Sequence, residues 1–361
     1  MKRALLAFTL LTAVAAQAQS RDPYATLKNY AAKVLPRCPG GTLTIEPVNS
    51  AGPANFNAYV ATLRSSDQYC GTQKYILTST KSQQVVVGSV IPLPNDARPI
   101  QTRVTEEASR LLGKPVTAAI APFPLADGLR AVAINRATPF GQFAYNGFID
   151  ASNQYLIVGF RGSLASEPAT TLRETLGAAT AMRRGNAKSK VEILEISDFQ
   201  CPTCARAHKT IEPLIQQNLA KMNYVRIDLP LFEHHEWSLQ AAMGARALQK
   251  VAPAKYWSYV DYVFTNQEEI GKRKIDDVIK DWMEDNDVDW TAIAKIYNSK
   301  TERQALLDQV SRAFALGVAA TPTFVVNGQI MGFGPDGTFT IDAIKSAVGI
   351  PTSTAAKKPA K

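Results

Sequence analysis

Two cysteines separated by two residues, Cys201-Pro202-Thr203-Cys204, are the residues of this 361-residue chain best placed to do chemistry. Such a pair binds zinc, cycles between dithiol and disulfide, or does neither. A zinc site needs a second pair of ligands at comparable spacing. There is no second C-x-x-C, and His208, His234 and His235 are the only histidines, so no metal and no other cofactor is expected. Context favours redox chemistry: a β-forming run over 191–196 leads in, and a helical pattern starts at Cys201 and runs to about 219. The first turn of a helix carries unpaired N–H groups and the positive end of the helix dipole, which lower the pKa of a thiol placed there. Cys201 is therefore expected to be the exposed attacking thiol. Pro202 suits the first helical position, and Cys204, one turn deeper, is the expected resolving thiol. Exchange would run through a mixed disulfide between Cys201 and a substrate cysteine.

These cysteines need a domain to hold them. After the motif helix, 224–229 reads as a second strand, and 237–251, 256–264, 274–283 and 301–316 as helices. A short strand at 323–326, a hairpin turn at Asn327-Gly328, a returning strand to 333 and a helix at 341–348 follow. The first half reads differently. A helix starts near Asp22-Pro23, with Leu27, Tyr30, Ala31 and Val34 at helical spacing. Strands are predicted at 43–45, 75–77, 85–87, 129–134, 143–149 and 154–159, and a helix at 102–112 stopped by Gly113. A helical pattern over 167–184, with Leu172, Leu176, Ala179 and Met182 on one face, then gives way to a polar stretch ending at Lys190. The predicted organisation is an α+β domain over 19–166, a linker helix and linker over 167–190, and an α/β domain over 191–350.

Residues 1–18 read as a secretory signal: Lys2 and Arg3, an uncharged run over 4–16, then the small-x-small sequence Ala16-Gln17-Ala18. The apolar run is short for a membrane span, and Gln19 rather than a cysteine follows, so a lipid anchor is not expected. The mature chain is expected to be soluble and exported, as in a periplasm, with 351–361 a disordered tail. The net charge of +9 comes from scattered residues with no run of five basic ones, so no nucleic-acid partner is expected.

The stretch Glu195-Ile196-Ser197-Asp198-Phe199-Gln200-Cys201-Pro202-Thr203-Cys204 resembles the active-site entry of DsbA-type thioredoxin-like proteins. Much later, Gly317-Val318-Ala319-Ala320-Thr321-Pro322-Thr323-Phe324-Val325-Val326-Asn327-Gly328 resembles that family's cis-proline loop, strand and hairpin. The resemblance covers a little under half the chain. It implies a thioredoxin-like fold with a helical insertion over about 237–316, and a thiol–disulfide oxidoreductase. It also implies that Thr321-Pro322 is a cis peptide facing the cysteines, with the Thr321 backbone free to pair with a substrate peptide. Glu195 matches a buried family acid thought to ferry a proton for the deeper cysteine. His235 falls where relatives often carry a histidine, yet it and His234 read as surface or cap residues, and His208 as structural. Strong oxidants of the family carry a histidine inside the motif; Thr203 brings no charge there, so Cys201 is expected to be less acidic than theirs.

The N-terminal half leaves the direction of exchange open. The isomerases DsbC and DsbG place an α+β dimerisation module and a linker helix before the catalytic domain, and Thr321 before the proline resembles theirs. This N-terminal domain is much longer, and no motif secures the match; a homodimer through it is one expectation. Cys38 and Cys70 read as a structural disulfide, with a second redox pair relaying electrons to Cys201 as the alternative. Expected partners are cysteine-containing exported proteins and a membrane redox protein. A non-catalytic periplasmic chaperone or binding module is the reading from another class.

Overall fold

The computed structural model describes residues 24–49, 52–66, 70–332 and 337–352. The signal sequence, the Asp22-Pro23 helix start, Phe333 and residues 353–361 lie outside the described residues.

In the N-terminal half, helix α1 (Ala25–Val34) buries Leu27, Tyr30 and Ala31 on one face, as their spacing requires. That face packs against Ile76, Val85 and Val87 of an antiparallel sheet. Its strands are β1 (Thr42–Pro47), β2 (Phe56–Arg64), β3 (Thr72–Ser79), β4 (Gln84–Pro92), β5 (Thr117–Ile120), β6 (Arg130–Thr138), β7 (Gly141–Ile149) and β8 (Tyr155–Ser163). Their order is β1-β2-β3-β4-β8-β7-β6-β5. Between β4 and β5, α2 (Ile100–Leu112) buries Val104 and Ala108 against Val132, Ile134 and Ile149. Strands β2 and β5 were not anticipated; their small and polar residues mask the alternation.

The helix expected over 167–184 is much shorter. Helix α3 (Pro168–Thr175) buries Leu172, and Gly177 then takes φ 69, a left-handed conformation that turns the chain away. Met182 to Gly185 form strand β9, paired antiparallel with Arg226 to Asn223. The polar stretch read as a linker thus begins as an edge strand of the second domain's sheet.

That sheet continues with β10 (Glu192–Ser197), β11 (Asn223–Asp228), β12 (Thr323–Val326) and β13 (Gln329–Met331), in the order β13-β12-β10-β11-β9. Helix α4 (Pro202–Gln217) links the parallel pair β10 and β11. Strand β10 is buried on both faces, its polar Glu195 and Ser197 included. Ile193 packs with Ala207 and Ile211 of α4, while Leu194 and Ile196 pack with Val225, Ile227 and Val325. The inserted helices are α5 (Ser238–Val251), α6 (Tyr256–Thr265), α7 (Gln267–Ile270), α8 (Ile275–Asp285), α9 (Trp290–Tyr297) and α10 (Lys300–Ala315). Their core reaches Phe199, Cys201 and Cys204, so the insertion packs directly on the motif. Helix α11 (Thr338–Ala347) closes the domain, burying Ile344 beside Phe324.

Among the described residues, the two halves are joined at two places. Arg37 forms a parallel bridge to Met331: its N–H donates to the Ile330 carbonyl at 2.8 Å, and its carbonyl accepts from Gly332 N–H at 2.9 Å. At the other end, Phe143 of β7 meets Phe232 and Phe314 at centroid distances of 5.6 and 5.7 Å, and Glu233 pairs with Lys114 and Arg136.

Candidate active site

Cys201 is the N-cap of α4 and Pro202 its first residue, so the motif sits where the strand hands over to the helix. Both cysteines are free thiols. Cys204 is fully buried, and Cys201 is only 7% exposed. The expectation of an exposed attacking thiol is thus corrected: Cys201 is the more accessible of the two, but the insertion covers most of it. Gln267 holds that cover in place, donating to the carbonyls of Phe199 at 2.6 Å and Cys201 at 3.2 Å.

The Thr321-Pro322 peptide is cis. The Cys201 thiol donates to the Thr321 carbonyl at 3.5 Å across 120 residues of sequence. The Cys201 pKa is lowered to about 5, first by hydrogen bonding from the Cys204 thiol, against the opposing cost of burial, with further help from the Cys204 N–H and the Thr321 side chain. The Cys204 pKa is raised well above the ordinary thiol value, first by burial and then by Cys201. One thiol is thus poised as thiolate and the other held as thiol, the division of labour that exchange needs.

Asp198 organises the approach to the motif. Its carboxylate, buried at 1% exposure, accepts from Gln200 N–H at 2.7 Å, from Leu231 N–H at 2.6 Å and from His235 Nδ1 at 2.9 Å. Its own N–H faces the Cys204 sulfur at 3.5 Å. The His235 pKa is raised, chiefly by its hydrogen bond to Asp198 and also by Cys201. A cation that the thiolate stabilises also stabilises the thiolate. His235 was expected as a surface or cap residue; it is half-buried and tied to the site, while His234 is exposed. Thr203 brings no charge inside the motif, and His235 supplies an imidazole from outside it. The Pro230-Leu231 corner after β11 was the available signal, but nothing in the sequence joins it to Asp198.

Glu195 is 2% exposed and belongs to a buried ionic group missed by sequence reasoning. It accepts from Arg226 Nη1 at 2.8 Å and from the Tyr224 hydroxyl. Arg226 also reaches Asp228 at 3.0 Å and lies over Phe199 and Phe264, 4.7 and 4.9 Å from their centroids. Burial opposes ionisation of Glu195, but Arg226 and Tyr224 outweigh it and hold its pKa below the usual carboxylate value. Cys201, Asp198 and Ser197 are among the groups that act on the Cys204 thiol. His208 pairs with Asp261 at 2.9 Å and stacks on Phe264 at 4.9 Å, a packing role. Cys38 and Cys70 are joined by a disulfide, with Cα atoms 5.8 Å apart.

Residues 178–348 match the thioredoxin family model. A probable disulfide bond formation protein D of Bacillus cereus is 25% identical over 183 residues, 48% of this chain and 80% of that protein. The Na(+)/H(+) antiporter NhaA 3 of Salinispora tropica is 26% identical over 176 residues, 49% of this chain; this chain spans 25% of that antiporter's length. Among solved structures, the thiol-disulfide exchange protein alpha-DsbA2 of Wolbachia pipientis has a TM-score of 0.43 at 20% identity, covering 50% of this chain and 92% of that one. BdbD of Bacillus subtilis has a TM-score of 0.42 at 17% identity, covering 47% of this chain and 94% of that one.

Proposed function

From the premise that the C-terminal half of the chain is a DsbA-like thioredoxin-fold domain, we propose that the protein catalyses thiol–disulfide exchange through Cys201 and Cys204. The observation that carries this reading is the asymmetric pair itself: a thiol with pKa about 5 at a helix N-terminus, facing Thr321-Pro322, with a buried high-pKa thiol behind it.

The oxidised pair is the disulfide donor. A substrate thiolate attacks the Cys201 sulfur; the Cys201–Cys204 bond breaks, and Cys204 leaves with the electron pair and takes a proton. A second substrate thiolate attacks the mixed disulfide and releases Cys201 as thiolate. The substrate loses two electrons and the pair gains them. In the isomerase or reductase direction, Cys201 attacks first and Cys204 resolves. Thr321 holds the approaching peptide, Pro202 and Thr203 shape the helix start, and Glu195, whose neighbour Ser197 also acts on the Cys204 thiol, serves proton movement for Cys204.

A Cys201 pKa of about 5 falls between the values of about 3.5 in DsbA and about 7 in thioredoxin. This favours a disulfide less oxidising than the strongest oxidants. The substrates we propose are cysteine-containing exported proteins, with a membrane protein restoring the redox state of the pair. Within the described residues no helix is long and apolar enough to cross a membrane.

The test is oxidative refolding of a reduced disulfide-containing protein. Cys201→Ser abolishes catalysis, and Cys204→Ser accumulates a mixed disulfide through Cys201. Catalysis that survives Cys201→Ser leaves the chaperone or binding-module reading instead.

A further inference from the structure

A cleft of about 650 Å³ separates the catalytic motif from the N-terminal domain. One wall carries Thr203, Arg206 and the loop from Ala319 to Thr323; the other carries Val34, Pro36 and the segment Cys70 to Thr72. The second wall is locked to the catalytic sheet. Arg37 is bonded on both sides to Ile330 and Gly332, and the Cys70 sulfur lies so close to Gly332 that a Cβ there would meet it at 2.0 Å. The Cys38–Cys70 disulfide fixes this wall internally. The cleft is therefore built before any substrate arrives, and its size suits a ligand much larger than a small thiol.

Two features indicate what fits. Ala319 and Ala320, next to Thr321, are exposed, an accessible edge of the cleft against which an extended segment can lie. Among the described residues, Arg206 is the only charged side chain lining the cleft. It is exposed, its side chain donates to Thr203 Oγ1 at 2.8 Å, and it has no carboxylate partner among the described residues.

We propose that this cleft receives an extended polypeptide segment of the substrate, held between the two domains beside Cys201, and that Arg206 selects an acidic side chain near the substrate cysteine. The N-terminal domain is then part of the substrate site. This rests on Cys201 being the attacked sulfur. The redox step is the one above: a peptide dithiol becomes a peptide disulfide, and the Cys201–Cys204 disulfide becomes a dithiol.

The test uses the oxidised full-length protein and three reduced two-cysteine peptides, identical except for Glu, Gln or Lys two residues after the first cysteine. Dithiothreitol reports on the chemistry alone. The expected second-order rate constants rank Glu over Gln over Lys, with a Glu-to-Lys ratio of about five, falling at high salt. Arg206→Gln brings that ratio close to one; being a ratio, it is insensitive to any change in Cys201 acidity. Gly71 is exposed, and among the described residues a Cβ there meets only the Leu63 carbonyl, at 3.4 Å. Gly71→Trp is expected to lower all three peptide rates several-fold relative to dithiothreitol. Equal rates for the three peptides, or a ratio unchanged by Arg206→Gln, overturn the selection by Arg206. A Gly71→Trp protein with an unchanged peptide-to-dithiothreitol ratio overturns the cleft as the route. Failure to oxidise dithiothreitol at all overturns the exchange reading beneath both.

Discussion

His235 donates from Nδ1 to the Asp198 carboxylate at 2.9 Å, 37 residues away in sequence. Asp198 is anchored at the motif entrance by Gln200 N–H, so the imidazole is held on the side from which it interacts with Cys201. The loop carrying His235 is gripped in turn by the N-terminal domain through Phe232 and Glu233.

Removing this imidazole should cost thiolate. His235→Asn is expected to move the Cys201 pKa upward and to slow its alkylation at pH 5 by roughly two- to ten-fold. The alkylation rate of Cys201 against pH measures it. The reverse change is Thr203→His, which adds a charge inside the motif and is expected to raise the reduction potential.

The Cys201 pKa of about 5 fixes a pH dependence. The unfolded chain titrates near the free value of about 8.5, so the folded state binds fewer protons between the two. Folding of the reduced protein gains the full benefit above about 8.5, and loses it as pH falls through 5. The disulfide form does not titrate there. Denaturant unfolding of the two forms should therefore show the reduced form gaining on the oxidised form between pH 5 and 8.

Arg226 is fully buried between Glu195 and Asp228. Arg226→Met leaves two buried carboxylates without their cation and is expected to destabilise by about 3–5 kcal/mol. Glu195→Gln keeps the shape and one hydrogen-bond acceptor, and should cost less. If Glu195 carries protons for Cys204, the same variant slows resolution of the mixed disulfide. Urea unfolding and rapid-quench trapping separate the two effects.

Replacing both Cys38 and Cys70 by serine removes a cross-link spanning 32 residues. In the chain-entropy account this is worth about 3–4 kcal/mol. The expected result is a lower denaturant midpoint for the double variant, and also for the natural protein after selective reduction of that bond.

The chemistry of this chain was legible because it is local. Cys201 to Cys204 sit between a strand and a helix that their own neighbours encode, and the Thr321-Pro322 segment carries a strand and an Asn-Gly turn with it. What escaped reading is non-local. Met182-Arg183-Arg184-Gly185 has the composition of a linker, and it becomes a strand only because β11 offers an unpaired edge. Arg226 looks like a surface residue until Glu195 is found opposite it in the parallel register. The bridge from Arg37 to Met331 joins segments almost 300 residues apart, and no periodicity reports such a pairing.

Whether Cys201 and Cys204 exchange electrons as a pair is decided by their redox equilibrium in glutathione buffers, read by thiol trapping. A single two-electron transition is expected between the values of about −120 mV for DsbA and about −270 mV for thioredoxin, abolished in Cys201→Ser. Cysteines that stay in one redox state across the whole buffer series would contradict it.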